Sequence, residues 1–374
     1  MTLYDELTDG RTRFVRVDEL CRQAAERRPD LLPSATELAA EAARMQRDKL
    51  GAERKQGAFL GEVLSEPEAG AHLCHAMLLA HPASAARLAE YAATGALELP
   101  GASVARVGKA SVVTTRNPRF LNAEDESTLE GFEIAIDVAT LDPHSEICVL
   151  RGGPVEHPRY AGRRLLGAGI NLTHLYQGKI RYLWFLIRDL GLVNKLYRGV
   201  ALPDVPPEHG GIEKPWIAVV EGFAIGGHCQ ILLTVDYTIA ADDAYLTLPA
   251  RKEGILPGAA NLRMPRFVGD RIARQAIMNE RRIDCASPDG RLICDAIVAP
   301  GEIDAAIEAI VDRLTNAGVV SAAGNRRAIR IAQEPLDTFR RYMAVYAREQ
   351  AHCYLSPALV QNLERHWDAA HRRG

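Results

Sequence analysis

The chain has 374 residues, of which 47% are hydrophobic and 25% are charged, and its formal net charge is −3. This is the composition of an ordinary globular protein, and its slightly acidic balance argues against nucleic acid or an anionic membrane as the main partner. No run of 18 apolar residues occurs, and the first twenty residues are too charged for a signal peptide, so we expect a cytoplasmic protein with no membrane span.

Residues 1 to about 100 predict a helical region, because apolar residues recur at three- and four-residue spacing in stretches such as ATELAAEAARMQRDKL. One local cluster in this region, HLCHAMLLAH, contains His72, Cys74, His75 and His81. A second group of ligands at zinc-site spacing does not follow it, so the sequence predicts no metal site. The seven cysteines are scattered along the chain, which is typical of free thiols.

The pattern changes after residue 104. Short apolar runs bounded by glycine, such as SEICVLRGG and PWIAVVEGFAIGG, alternate with helical stretches such as ESTLEGFEIAIDVATL. This alternation predicts an α/β core over residues 105–300. Helical periodicity returns in EIDAAIEAIVDRLTNAG and continues to the end, so we expect three regions: 1–104, 105–300 and 301–374.

Two glycine-bearing turns are candidates for chemistry. LLGAGINLTHL places Gly167 and Gly169 before a helical stretch, and EGFAIGGHCQILL places Gly226 and Gly227 between a strand and a helix. Backbone N–H groups at a helix start lack intrahelical acceptors, so two facing turns would form an oxyanion hole suited to a thioester enolate. For either turn alone, close packing explains the glycines equally well. Neither a dinucleotide-binding nor a phosphate-loop motif occurs.

The stretch IEKPWIAVVEGFAIGGHCQILLTVDYTIAADDAYLTLPARKEGILPGAANLRMPRFVG resembles the centre of crotonase-family proteins. Upstream, NPRFLNAEDESTLEGFEIAID and GAGINLTHL resemble the family's first strand-to-helix unit and first oxyanion turn, so the likeness covers about residues 105–300. The resemblance implies a coenzyme A (CoA) thioester substrate and a ClpP-like spiral of ββα units. It also implies homotrimers or homohexamers with C-terminal helices at the interface, and a hole formed by the N–H groups of Ile170 and Gly227.

The sequence departs from the family's hydratases at both acid/base positions, where they carry glutamates. Gln230 and Ala250 stand there, and neither transfers a proton near neutral pH, which argues against the ordinary hydration mechanism. These departures, the helical N-terminal region and the G-G-H-C-Q turn resemble a subgroup of the family, dioxygenases of 3,5-dihydroxyphenylacetyl-CoA in glycopeptide-antibiotic biosynthesis. The resemblance implies a reaction of dioxygen with the substrate carbanion, without metal or organic cofactor, that gives 3,5-dihydroxyphenylglyoxylate and free CoA.

Placement along the chain selects the polar candidates. Gln230 is expected to bind a substrate hydroxyl, and Glu124 to bind a second hydroxyl or act as a base. His157, in the inserted loop, and Arg188, in the apolar helix YLWFLIRDLGL, are expected to contact the substrate. Ile255 is expected to line an apolar dioxygen pocket.

For several arginines the sequence leaves two roles open. Arg188 either reaches the substrate or pairs with Asp189 at a helix end. The arginines of the insertion PVEHPRYAGRRLL meet CoA phosphates or form a solvated face; these are Arg159, Arg163 and Arg164. His228 is expected to pack behind its turn. Gly169, Ile225 and Gly226 flank the hole and complete the predicted binding site.

Two other functions remain open from the sequence. An aryl-acetyl-CoA thioester hydrolase or decarboxylase would use the same hole, and dioxygen consumption separates it from a dioxygenase. A non-catalytic acyl-CoA-binding protein would fit the lost glutamates, and an assay of CoA release from aryl-acetyl thioesters separates it from both enzymes.

Overall fold

The computed structural model describes residues 2–160 and 162–372. In chain order its α-helices are α1 (Leu3–Leu7), α2 (Val17–Arg27), α3 (Ala35–Ala42), α4 (Arg54–Ser65), α5 (Pro67–Leu78), α6 (Ser84–Thr94), α7 (Glu126–Leu141), α8 (Leu172–Tyr176), α9 (Tyr182–Ile187), α10 (Asn194–Arg198), α11 (Gly227–Leu232), α12 (Ala250–Glu253), α13 (Ala260–Asn279), α14 (Ile303–Thr315), α15 (Val320–Gln333), α16 (Leu336–Tyr354) and α17 (Pro357–Trp367). A π-helical turn, Arg188–Val193, joins α9 to α10. None of the helices in these residues is long and apolar enough to cross a membrane.

The strands form two sheets. They are β1 (Ala96–Leu99), β2 (Ala102–Val107), β3 (Ala110–Thr115), β4 (Ile147–Gly152), β5 (Trp216–Val220), β6 (Phe223–Ile225), β7 (Tyr237–Ala241), β8 (Tyr245–Thr247), β9 (Ile283–Asp284) and β10 (Ala296–Val298). The larger sheet has the order β1-β2-β3-β4-β5-β7-β10, and the smaller has the order β6-β8-β9. The α/β core predicted from the sequence is confirmed.

The larger sheet is parallel from β3 to β10. Every residue of β5 is buried, as are all but one of β4. Strands buried on both faces read as continuous apolar runs, which is why the sequence shows no alternation there. The β1–β2–β3 end of the sheet is antiparallel.

Strand–strand–helix units position the glycine turns. β5 is followed by β6 in the smaller sheet and then by α11, and β7 is followed in the same way by β8 and α12. Because β6 and β8 pair in parallel, α11 and α12 both begin at the same end of the smaller sheet. This end carries the candidate site.

The N-terminal helices pack on a C-terminal helix. A side chain at Gly57 of α4 would lie 2.5 Å from the Cβ atom of Ala351 on α16, so the two helix backbones are in close contact. Leu60 and Leu64 of α4 and Met343 of α16 belong to one buried cluster. The two ends of the chain therefore share a core.

The helical N-terminal region ends earlier than the sequence predicts. α6 stops at Thr94, because Gly95 adopts a left-handed conformation with φ of 71°. The next residues, Ala96–Leu99, form β1 and pair with β2 across the turn that contains Pro100 and Gly101. Apolar residues in ALEL fit a short edge strand as well as a helix, and strand pairing decides between them.

Candidate active site

The two predicted glycine turns meet in space. The Ile225 N–H donates a hydrogen bond of 3.1 Å to the carbonyl oxygen of Gly167. Gly169 has a φ of +79°, and a side chain there would approach the Gly227 nitrogen to 3.3 Å. Glycine is thus required at position 169 both by backbone conformation and by contact with the second turn.

The backbone N–H groups predicted for the hole are free. Gly227 is the first residue of α11, where an N–H has no intrahelical acceptor. Ile170 lies between Gly169 and Asn171, whose backbone atoms make the local bonds to Glu124. Within residues 2–160 and 162–372, neither the Ile170 N–H nor the Gly227 N–H donates a hydrogen bond. Both remain available to a ligand oxygen.

His228 holds the first turn in place from behind. Its imidazole is fully buried, and its Nδ1 accepts a hydrogen bond of 3.1 Å from the Gly169 N–H. Burial lowers the pKa of His228 to about 4, so the ring is neutral near pH 7 and Nδ1 keeps its lone pair. A side chain at Gly167 would overlap this ring. The expectation that His228 packs behind the turn is confirmed.

The hole opens into a cavity whose space between atoms, including the part open to solvent, is about 400 Å³. Its lining residues are Ile170, Trp184, Phe185, Arg188, Asp189, Gly226, Gly227, Gln230, Ala250, Glu253, Ile255, Leu256, Pro257, Gly258 and Tyr346. The fold therefore brings together segments from the first turn, the π-helical turn, α11, α12 and α16. Six residues proposed from the sequence line this cavity, namely Ile170, Arg188, Gly226, Gly227, Gln230 and Ile255.

Arg188 is the centre of a buried polar network. Its Nε and Nη2 each donate a hydrogen bond of 2.7 Å to the two carboxylate oxygens of Glu124. Its Nη2 also donates to the Gly227 carbonyl at 3.0 Å, and its Nη1 donates to Gln230 Oε1 at 2.6 Å. Asp189 lies farther away, with 3.9 Å between Nη1 and Oδ2. Arg188 is therefore a cavity residue and not mainly a partner of Asp189.

These bonds use four of the five N–H groups of Arg188. The remaining N–H is on Nη1, the same nitrogen that binds Gln230. Among the described residues it has no acceptor within hydrogen-bond distance. One charged donor is thus left for a ligand.

Gln230 and Asp189 continue the network. The Gln230 Nε2 donates to Asp189 Oδ1, which also accepts a hydrogen bond of 3.0 Å from the Ala259 N–H. Burial raises the pKa of Asp189, although Arg188 and these two donors oppose that effect. The oxygen and the nitrogen of the Gln230 amide are therefore both held by fixed partners, and among the described residues one N–H of Nε2 has no acceptor.

Glu124 lies behind the hole and does not line the cavity. Burial by itself raises the pKa of its carboxyl, but the charge and hydrogen bonds of Arg188 outweigh burial and the pKa lies below its usual value. A carboxylate so strongly held as an anion is a weak base. The geometry favours a positioning role for Glu124 over the base suggested from the sequence.

Other predicted residues lie away from the cavity. His157 is exposed, and its ring packs against Tyr160 with 5.4 Å between ring centroids. Ile225 belongs to a small separate cluster around Phe223. Gly169 supports the hole through its backbone without lining the cavity.

Two arginines of the insertion, and His72 of the histidine cluster, have local partners. Arg163 makes two hydrogen bonds of 2.8 Å to Asp243, and the guanidinium of Arg159 lies 5.5 Å from the Tyr160 ring. His72 hydrogen-bonds the Tyr4 hydroxyl at 2.6 Å and stacks on a phenylalanine ring. Across the part of the chain that is described, no group of three or more His, Cys, Asp or Glu side chains is arranged to hold a metal ion.

Several lining residues were missed by sequence reasoning. Trp184 precedes Arg188 by one helical turn, and the Arg188 guanidinium lies 5.9 Å from its ring. This spacing in YLWFLIRDLGL was a signal that the two share a face. Tyr346 comes from α16, far along the chain, and Glu253 lies three residues after Ala250 on α12. Only the fold shows that these two residues reach the cavity.

Comparison with known proteins gives consistent results. A family model described as enoyl-CoA hydratase/isomerase matches residues 209–343. The (3,5-dihydroxyphenyl)acetyl-CoA 1,2-dioxygenase of Amycolatopsis orientalis is 47% identical over 350 residues, which is 93% of this chain and 80% of that protein. The short-chain-enoyl-CoA hydratase of Clostridium acetobutylicum is 28% identical over 62% of this chain and 82% of its own length.

Solved structures show the same fold. An enoyl-CoA hydratase from Mycobacterium avium subsp. paratuberculosis superposes with a TM-score of 0.57 and 22% identity, covering 72% of this chain and 97% of that one. An enoyl-CoA hydratase/isomerase from Xanthobacter autotrophicus has a TM-score of 0.58 and 19% identity, covering 74% of this chain and all of that one. At these identities the likeness concerns the fold alone, and the predicted spiral of ββα units is confirmed.

Proposed function

Because this chain belongs to the crotonase superfamily, the enoyl-CoA hydratase/isomerase family, we propose that it is a dioxygenase of an aryl-acetyl-CoA thioester. The proposed substrate is 3,5-dihydroxyphenylacetyl-CoA. The reaction consumes one dioxygen and yields 3,5-dihydroxyphenylglyoxylate and free CoA, which balances all atoms.

One observation carries the proposal. The likeness to the A. orientalis dioxygenase extends over 93% of the chain, including the helical N-terminal region, whereas the hydratase relative matches 62%. The acid/base positions of hydratases hold Gln230 and Ala250, and both line the cavity. A site without carboxyls at these positions does not support hydration.

The free N–H groups of Ile170 and Gly227 are assigned to the thioester oxygen. Two fixed donors stabilise the charge that appears there when the α-carbon loses a proton. Arg188 and Gln230 are assigned to the aryl hydroxyls, because each keeps one unused N–H beside the cavity. Glu124 then holds the guanidinium of Arg188 in its place.

The rest of the cavity suits the dioxygen step. Ile255, Leu256, Pro257 and Phe185 give it an apolar wall, which excludes water from the carbanion. An aryl group with two hydroxyls makes the carbanion electron-rich, so that it can transfer an electron to dioxygen directly. We therefore include independence of metal and organic cofactors in the proposal.

The test is a dioxygen-electrode measurement with 3,5-dihydroxyphenylacetyl-CoA and protein treated with a chelator. We expect dioxygen uptake and CoA release in equal amounts. Release of CoA without dioxygen uptake would identify a thioester hydrolase, and neither event would identify a binding protein. Loss of uptake on chelation, with recovery when a metal ion is returned, would overturn cofactor independence.

We also propose the pathway, the cellular location and the oligomeric state. Its substrate class suggests a role in antibiotic biosynthesis in the cytoplasm, and the family likeness suggests a homotrimer or homohexamer. Light scattering of the purified protein tests the oligomeric state, and a monomer at assay concentrations would contradict it.

A further inference from the structure

Three carboxyl groups lie in or beside the cavity, and they differ in their partners. Glu124 is bound by two nitrogens of Arg188, and Asp189 accepts hydrogen bonds from Gln230 and the Ala259 N–H. Glu253 lines the same cavity and is 4% exposed. Within residues 2–160 and 162–372 its carboxyl makes no hydrogen bond and no ion pair.

A buried carboxyl without a partner lowers the stability of the fold, so its presence calls for a functional reason. A buried polar side chain without a partner destabilises the fold, and native proteins keep few of them. The neighbouring ammonium of Lys252 does not neutralise Glu253, because it is directed to Glu280 at 3.8 Å and to the Trp367 ring at 5.5 Å. The carboxyl of Glu253 is therefore available to interact with a ligand in the cavity.

Helix geometry places Glu253 on the face of α12 that lines the cavity. Residues three apart on a helix lie on the same face, and Ala250 and Glu253 of α12 both line the cavity together with Ile170 and Gly227. The small methyl group of Ala250 leaves the space beside the hole open. Glu253, three residues further along, lines that same cavity.

We propose that Glu253 is the base that removes the α-proton of the thioester. The C–H bond breaks, its electron pair forms the enolate, and the negative charge on the thioester oxygen is bound by the N–H groups of Ile170 and Gly227. The proton moves to the Glu253 carboxylate, which becomes a neutral carboxylic acid. This inference rests on the proposed function and supplies the proton acceptor that it requires.

The electrostatics of the site fit this role. Burial, and next the charge of Glu280, raise the pKa of Glu253 to about 8, while Lys252 opposes them. A carboxylate with a raised pKa is a stronger base than an exposed one, and it is present in useful amounts near neutral pH. Glu124, whose pKa lies below its usual value, lacks this property.

The experiment measures exchange of the substrate's α-protons in deuterated buffer without dioxygen, followed by dioxygen uptake in air. For Glu253→Gln we expect exchange to fall by roughly a hundredfold or more, the usual contribution of a general base, with parallel loss of uptake. Glu253→Asp should retain part of the rate. Exchange at the wild-type rate in a folded Glu253→Gln protein would overturn the proposal.

Folding of this variant is checked by thermal unfolding. In the wild type, the Glu253 carboxyl holds its proton more tightly in the folded state than in the unfolded state. Its contribution to the stability of the folded state is therefore lost as the pH rises from 4.5, the ordinary pKa of a glutamate, towards about 8. Glu253→Gln has no such group. Its Tm relative to the wild type should therefore rise over this pH range.

Glu280→Gln gives an independent test. Glu280 does not line the cavity, and its charge raises the pKa of Glu253. The exchange rate should rise with pH in the wild type, and the midpoint of that rise should move to lower pH in Glu280→Gln. An unmoved midpoint would overturn the role of Glu253. Absence of dioxygen uptake by a wild type that exchanges α-protons would instead overturn the proposed function.

Discussion

Position 227 shows how closely the proposed oxyanion hole is packed. A side chain there would lie 2.7 Å from Arg188 Nη2 and 3.1 Å from Glu124 Oε1, so any substitution disturbs the arginine. Proline is tolerated at the first residue of a helix, but it lacks the N–H. We therefore expect Gly227→Pro to be roughly a hundredfold less active than Gly227→Ala, because only proline also removes a donor to the oxyanion.

The comparison between these two variants isolates the hydrogen bond, since both carry the added Cβ atom. Initial rates of dioxygen uptake measure it. Equal rates for the two proteins would show that the Gly227 N–H does not bind the thioester oxygen.

Gln230 offers a second test at the residue scale. Gln230→Glu would place a carboxylate against Asp189 Oδ1, which now accepts a hydrogen bond from the amide. Repulsion between the two carboxylates and loss of this bond should cost about 1–3 kcal/mol of substrate binding and transition-state stabilisation. We expect slower dioxygen uptake and no hydration of an enoyl-CoA, because Ala250 stands where hydratases carry their second glutamate.

Both activities are assayed on the same preparation. Unchanged dioxygen uptake would place Gln230 outside the reactive part of the site. Measurable enoyl hydration would show that Glu253 replaces the glutamate that hydratases carry at the position of Ala250.

At the scale of elements, α16 links the C-terminal region to the cavity through Tyr346. Within the described residues its hydroxyl has no hydrogen-bond partner, although the side chain is 1% exposed. A substrate oxygen would satisfy this group. Tyr346→Phe should therefore raise KM several-fold and leave the Tm unchanged or higher, because one unpaired polar group is removed.

Tyr354→Phe, on the same helix, is the matched control. The Tyr354 hydroxyl donates to the Ile180 carbonyl at 2.8 Å and lies outside the cavity. Its removal should lower the Tm and leave KM unaltered. If both variants changed Tm alone, Tyr346 would have no contact with the substrate.

Site residues that belong to short motifs can be predicted from the sequence, whereas those that reach the cavity only through tertiary packing cannot. The turns at Gly169 and Gly227 were predicted because a glycine turn before a helix start has a local signature. Arg188 was found because a charge in an apolar helix is conspicuous. Tyr346 and Glu253 were not found, since an aromatic residue or a charge in an amphipathic helix is ordinary until packing shows what it faces.

At the scale of the whole molecule, helices from the two ends of the chain pack together. α4 packs so closely on α16 that Gly57 has a backbone carbonyl, that of Ala347, 2.9 Å from where a side chain would begin. Gly57→Ala should separate the two helices and lower the free energy of unfolding by about 1–3 kcal/mol. Because α16 carries Tyr346, we expect KM to rise as well.

Gly324→Ala serves as the control, because Gly324 lies in α15 with open space around it. This change should raise stability by about 0.5–1 kcal/mol through helix propensity alone. Urea unfolding and substrate kinetics measure both proteins. An unaltered KM in a destabilised Gly57→Ala protein would show that the N-terminal helices support folding without influencing the site.

The region boundaries stay predictions from the sequence, and packing explains why they were hard to draw. Composition separates 1–104 from the α/β core clearly, yet the first strands of the larger sheet begin at Ala96. The shared core of α4 and α16 joins the two ends of the chain. Composition along the chain carries no information about such contacts between distant segments.

The tight fit of the glycine turns restricts how this protein can diversify. A side chain at Gly167, Gly169 or Gly227 would crowd His228, Ile225 or Arg188, respectively, so under the proposed function inherited changes there remove activity before they alter it. Trp184 and Leu256 line the cavity and take no part in the backbone hydrogen bonds between the two turns. Under the proposed function, new substrate preferences are therefore accessible to selection through such lining residues, while the turns assigned to the thioester are inherited unchanged.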